Sequence, residues 1–115
     1  MPVRVLIFDD VVFARGETFN MPGVDADLYE HADEAVELAA ALKPDYVFMD
    51  FAMGAEHDDG AEAIRKLRAA GYSGEIIAMS SDPALNEVMI TAGANDRLAK
   101  KALLRSYVMD LGSRG

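Results

Sequence analysis

Short apolar runs recur along the chain, and each stops at a polar residue. Val3–Phe8 ends at Asp9 and Asp10, Tyr46–Met49 at Asp50, and Ile76–Met79 at Ser80. A shorter segment closes with Leu98 and Ala99 and is followed by Lys100. Apolar runs of this length, bounded by turn residues, read as strands buried in a parallel sheet. The stretches between them carry helical spacing. Leu85, Val88, Met89 and Ala92 make one stripe, and Leu104, Tyr107, Val108 and Leu111 another. The pattern predicts an α/β domain of five strands alternating with five helices, without an internal repeat.

Punctuation refines the elements. Val11–Phe19 holds a short first helix weakened by Gly16, and Asn20-Met21-Pro22-Gly23 is a turn. A polar second strand near Asp27–Tyr29 suits a sheet edge. Asp33 is placed to cap a second helix that runs to about Leu42 and stops before Pro44. A long acidic loop, Phe51–Asp59, precedes a third helix near Ala61–Ala70, closed by Gly71. Asp82-Pro83 opens the fourth helix, with a capping carboxylate and then Pro at the first helical position, and Gly93 ends it. A fifth strand lies near Arg97–Ala99.

The composition narrows the classes. At 115 residues, 51% hydrophobic, the chain reads as one domain, residues 1–115, with no output domain attached. A net charge of -9 argues against nucleic acid, and no apolar stretch suits a membrane span or a signal peptide. A cytoplasmic location is the default expectation. Zero Cys excludes thiol chemistry and Cys-ligated zinc. The seven Met residues fall largely on strand and stripe positions and read as core. His57, between Glu56 and Asp58, reads as a solvated loop histidine; His31 caps or precedes the second helix.

In parallel sheets, ligands sit beyond the carboxyl ends of the strands. Asp9, Asp10, Asp50, Ser80 and Lys100 therefore converge. Crowded carboxylates repel and raise a pKa unless a cation intervenes. A hard divalent ion such as Mg²⁺ relieves this and holds a phosphoryl oxygen. A carboxylate can accept a phosphoryl group as a labile acyl phosphate; Lys supplies a compact charge, and a hydroxyl supplies one donor.

Val5-Leu6-Ile7-Phe8-Asp9-Asp10, Pro44-Asp45-Tyr46-Val47-Phe48-Met49-Asp50, Ile76-Ile77-Ala78-Met79-Ser80 and Gly93-Ala94-Asn95-Asp96-Arg97-Leu98-Ala99-Lys100 are the segments that carry a resemblance. Over essentially its whole length the chain resembles the receiver domain of two-component response regulators, of the CheY-like superfamily. The resemblance implies a flavodoxin-like three-layer sandwich with a parallel sheet of order 2-1-3-4-5. It implies that Asp50 takes a phosphoryl group from a sensor histidine kinase or a histidine phosphotransfer protein. Mg²⁺ would be held by Asp9, Asp10, Asp50 and the carbonyl of Ala52. Lys100 would pair with the phosphoryl group, and Ser80 would move to hydrogen-bond it. The implied output is altered binding of a protein partner through helix 4, strand 5 and helix 5, with homodimerisation on phosphorylation as one form.

The chain departs from the family pattern at Lys101, where Pro is usual, and at Arg97, where an aromatic is common. Strand alternation turns Arg97 away from the site. Met53-Gly54 replaces the usual Met-Pro, and the first helix is short. These departures bear on output more than on the chemistry. The alternative function is a phosphorylation-independent interaction module of the same fold. A phosphohydrolase using Asp50 needs a second acid two residues on, and that position is Ala52. The expected chemistry is thus confined to the domain's own phosphorylation and dephosphorylation, not that of an enzyme with a separate substrate.

Overall fold

The computed structural model describes residues 2–19 and 21–114. Asn20, with which the expected turn begins, lies outside the described residues. The order is β1 (Val3–Phe8), α1 (Asp10–Ala14), β2 (Val24–Tyr29), α2 (Ala35–Leu42), β3 (Tyr46–Met49), α3 (Gly60–Ala69), β4 (Glu75–Ala78), α4 (Pro83–Ala92), β5 (Asp96–Arg97), a 3-10 turn at Lys101–Leu103, and α5 (Leu104–Arg114). The five strands form one parallel sheet of order 2-1-3-4-5, as the resemblance implied.

Alternation along the inner strands sorts side chains into two cores. Leu6, Phe8, Val47, Met49, Ile76 and Ala78 face α2, α3 and α4, where Ala39, Ile64, Leu67 and Met89 cover them. Val5, Ile7, Phe48, Ile77 and Met79 face α1 and α5, against Val12, Leu104, Val108 and Leu111. Apolar side chains on both faces explain why the inner strands read as continuous runs, and why a polar β2 sits at the edge.

Several boundaries differ from expectation for local reasons. Helix α1 stops at Ala14, because Gly16 turns the chain at φ 66°. Asp33 does not cap α2. That helix starts at Ala35 behind Glu34, which makes no side-chain capping bond. Asp33 is instead taken up by the loop after β3, accepting from Asp58 N–H at 3.0 Å. Helix α3 begins one residue early, at Gly60, which has no Cβ to spare: one would meet the Asp50 carbonyl at 2.2 Å and Met89 Sδ at 2.7 Å. This close approach presses the start of α3 onto the end of β3.

Helix α4 is capped as expected, with Asp82 accepting from Ala84 N–H at 2.9 Å and Pro83 following. Its buried face is rotated, however. Asn86 and Met89 are inward, while Val88 is 43% exposed. A polar residue displaces the expected apolar stripe because it has partners there, described below. Among the described residues, no helix is long and apolar enough to cross a membrane.

Candidate functional site

The carboxyl ends of β1 and β3 bring three acids together. Asp9 is the extended residue capping α1, its Oδ1 accepting from the N–H groups of Val11 at 2.9 Å and Val12 at 3.0 Å. Asp10 is the first residue of α1, so the strand-to-helix turn aims both side chains at one place. Asp50 follows β3, its N–H bonded to the Phe8 carbonyl. One carboxylate oxygen from each of Asp9, Asp10 and Asp50 lies within 4.8 Å of the others. Asp9 and Asp50 are 1% and 6% exposed.

Burial pushes the Asp50 carboxyl up to about 6, the Asp9 charge adds to this, and the Lys101 ammonium opposes it. Lys101 Nζ lies 2.9 Å from Asp9 Oδ2 and 3.2 Å from Asp50 Oδ2. Burial alone would pull this ammonium down. The close contact with Asp9 and the charges of Asp50 and Asp9 outweigh burial, and the net shift is upward.

The ammonium beside the carboxylates is therefore that of Lys101 and not that of the expected Lys100. Strand β5 ends at Arg97, too early for its alternation to govern position 100. Lys100 is an exposed extended residue that precedes the 3-10 turn. Lys101 opens that turn and is folded back over the carboxylates. In sequence, Lys100-Lys101 gave no means to choose except the resemblance, which favoured Lys100.

The cluster suits a hard divalent cation. Among the described residues, Asp9 Oδ2 has no hydrogen-bond partner, only the ammonium contact, and two nearly buried carboxylates share the Lys101 ammonium. Oxygen donors converging with excess negative charge are what Mg²⁺ requires. Ala52, two residues beyond Asp50, is exposed in the loop leaving β3.

Ser80 is buried after β4, its Oγ accepting from Asp82 N–H at 3.1 Å. Sequence reasoning missed its partner Asn86. Asn86 is 2% exposed; its Oδ1 accepts from Ser80 N–H and its Nδ2 donates to the Ser80 carbonyl, both at 2.8 Å. The only signal was a polar residue three positions before the buried Met89. Asn86→Ala would strand both Ser80 backbone groups, each worth about 1–3 kcal/mol when buried and unpaired. A stability loss of roughly 2–4 kcal/mol is expected in urea unfolding. A loss within experimental error would mean that water replaces the amide.

Arg97 is exposed and its guanidinium pairs with Glu87 of α4; with β5 ending at this residue, the expected alternation between positions 97 and 100 does not apply. His57 is an exposed loop residue, as expected, but it is not without partners. Its ring stacks on His31 at 4.0 Å between centroids, and its Nδ1 lies 2.5 Å from Asp33 Oδ2.

Comparison with known proteins follows the same lines. The chain matches the response regulator receiver domain family over residues 5–108. It is 32% identical to the response regulator MprA of Mycolicibacterium vanbaalenii across 98% of this chain and 55% of that protein. It is 38% identical to the two-component response regulator ORR41 of Oryza sativa subsp. japonica, across 85% of this chain and 83% of that one. The chain thus spans about half the length of the MprA relatives it matches. Among solved structures, the receiver domain of the sensor histidine kinase PA1611 from Pseudomonas aeruginosa PAO1, with a magnesium ion coordinated in its active site cleft, superposes with a TM-score of 0.72 at 25% identity, covering 99% of this chain and 97% of that one. The response regulator domain of Thermotoga maritima CheB, at 24% identity, has the same fold, with a TM-score of 0.71 over 99% of this chain and 93% of that one. A family match that runs from within β1 into α5 takes in the acid cluster, the Ser80 turn and the Lys101 turn together, and the chain belongs to the response regulator receiver domain family of two-component signalling.

Proposed function

We propose that this domain is a phosphorylation-controlled switch whose acceptor is Asp50. The observation that carries the reading is the convergence of Asp9, Asp10 and Asp50 beside the Lys101 ammonium at the end of a parallel sheet. An Asp50 carboxylate oxygen attacks the phosphorus of a phosphohistidine on a sensor kinase or phosphotransfer protein. The P–N bond breaks, the proton required passes to the departing imidazole, and an aspartyl phosphate remains. Asp9, Asp10, Asp50 and the Ala52 carbonyl are the groups that would hold Mg²⁺, and bound Mg²⁺ supplies neutralisation of phosphoryl charge. Lys101 gives up its contact with Asp50 and pairs with a phosphoryl oxygen. The Ser80 hydroxyl, which accepts from Asp82 N–H, turns to donate to another phosphoryl oxygen while Asn86 holds the Ser80 backbone in place.

The output surface is α4, β5 and α5. Movement of Ser80 loads the start of α4 first, and the Arg97–Glu87 pair ties β5 to that helix. Exposed Val88 and Met109 offer apolar area for a protein partner or a second copy of the chain. The domain acts on no substrate but its own acyl phosphate, in the cytoplasm. Mass spectrometry after incubation with acetyl phosphate and Mg²⁺ tests this. A single phosphoryl adduct in the parent, absent from Asp50→Asn, is expected. An adduct that persists in Asp50→Asn, or none in the parent, removes Asp50 as acceptor and leaves the phosphorylation-independent module.

A further inference from the structure

A second ligand cluster lies apart from the acidic one. His31 follows β2, Asp33 precedes α2, and His57 sits in the loop between β3 and α3. Both imidazoles present Nδ1 to the same oxygen. His57 Nδ1 is 2.5 Å from Asp33 Oδ2, and His31 Nδ1 is 3.8 Å from it, too far for a hydrogen bond. One ligand atom from each residue lies within 4.8 Å of the others. His31 Nδ1 is shielded from solvent and, among the described residues, has no hydrogen-bond partner.

A proton satisfies only part of this arrangement. Shared between His57 and Asp33, it leaves the His31 lone pair unmet beneath a stacked ring. Protonating both imidazoles would stack two cations with centroids 4.0 Å apart. A single metal cation serves all three groups at once. Glu30 and Glu56 add negative charge around His57. The Lys66 ammonium is paired with Asp58 at 2.6 Å and reaches Asp33 through its charge alone, without an ion-pair contact among the described residues.

We propose that His31, Asp33 and His57 form a site for a borderline divalent transition cation of the Zn²⁺ class. Imidazole with one carboxylate is the donor set such ions favour over Mg²⁺. The rings are nearly parallel, at 9°, so one must turn about its soft terminal torsion to aim its lone pair at a shared ion. The three donors then draw in to about 2.0–2.2 Å from the metal, and water completes a tetrahedron. About a third of each histidine side chain is exposed (35% and 34%), which leaves access for the ion and for that water. The bound cation staples the loop that follows Asp50 to the start of α2, two segments otherwise joined here by the Asp33 contacts to His57 and Asp58.

Zinc titration of the whole chain in excess Mg²⁺, followed by calorimetry and by imidazole carbon NMR, tests the site. The parent is expected to take up one Zn²⁺ with both histidine rings shifting together. His57→Ala and His31→Ala should each weaken binding at least about tenfold, since each removes a direct ligand. Both side chains are partly exposed, and thermal unfolding in the absence of zinc verifies that the variants fold. Asp10→Asn and Asp50→Asn should bind zinc as the parent does. Histidine resonances that do not move, an unchanged affinity in His57→Ala, or a loss confined to Asp10→Asn and Asp50→Asn would each overturn the assignment, the last by placing zinc in the acidic cluster.

Discussion

Asp50→Asn is expected to unfold at a higher temperature than the parent at pH 7.5 without divalent cations. The parent carries an ionised carboxylate where burial and Asp9 disfavour it, and its pKa is raised from 3.8 to about 6. A carboxyl with a raised folded-state pKa binds its proton more tightly folded than unfolded. The contribution of Asp50 to stability is therefore most favourable below 3.8, falls as pH rises through the window from 3.8 to 6, and stays reduced above it. A shift of that size corresponds to at most roughly 3 kcal/mol, and residual solvent screening brings the expected gain in the variant to about 1–2 kcal/mol. In a domain of this size that is several degrees of melting temperature. The difference should shrink below pH 4 and also when Mg²⁺ is added, because a bound cation removes the repulsion the substitution relieves. Thermal melts across pH, with and without Mg²⁺, provide the measurement. A parent and variant that melt together at pH 7.5 would show that Lys101 already neutralises the cluster.

Apolar runs report burial on both faces of a strand, so β1, β3 and β4 were legible, and their last residues placed Asp9, Asp10, Asp50 and Ser80 at one end of the sheet. Short-range capping was legible where one residue decides it, as at Asp82-Pro83. Asp33 was misread because its capping competence is real, yet a partner 25 residues away claims the carboxylate. Distant pairing of this kind leaves no local pattern. Asn86 was missed for the same reason: helical periodicity marks which positions face inward only if the inward positions are apolar, and here the amide takes both backbone groups of Ser80. The His31–His57 stack joins residues 26 apart through two loops, where no periodicity operates. Lys100 was favoured over Lys101 by the resemblance alone, and the 3-10 turn that brings Lys101 back over the carboxylates leaves no local pattern in the sequence.

That last difference yields a sharp contrast between adjacent residues. Lys101→Ala is expected to destabilise the metal-free domain by about 2 kcal/mol, and Lys100→Ala by no more than about 0.5 kcal/mol. Lys101 Nζ is the ammonium shared by Asp9 and Asp50, and the Asp9 side chain is fully buried, so removing the amine strands carboxylate charge away from water. Breaking a fully buried pair from one side can cost 3–5 kcal/mol. Here the Lys101 side chain is 26% exposed, which lets water reach the vacated place and lowers the figure. Mg²⁺ should restore much of the loss in Lys101→Ala, since it meets the same carboxylates. Lys100 is exposed at the surface before the turn, and its replacement disturbs little. Function should divide in the same way. Beryllofluoride, bound at Asp50 as a phosphoryl mimic, should shift amide resonances at Ser80 and across Pro83–Leu111 in the parent and in Lys100→Ala. In Lys101→Ala the mimic should still bind with Mg²⁺, but the shifts beyond Ser80 should be largely lost, because no ammonium draws the phosphoryl oxygens toward the turn before α5. Urea unfolding and amide NMR on the two variants decide the matter. Equal stabilities, or a larger loss of shifts in Lys100→Ala, would return the role to Lys100 and require the turn at Lys101–Leu103 to refold on phosphorylation.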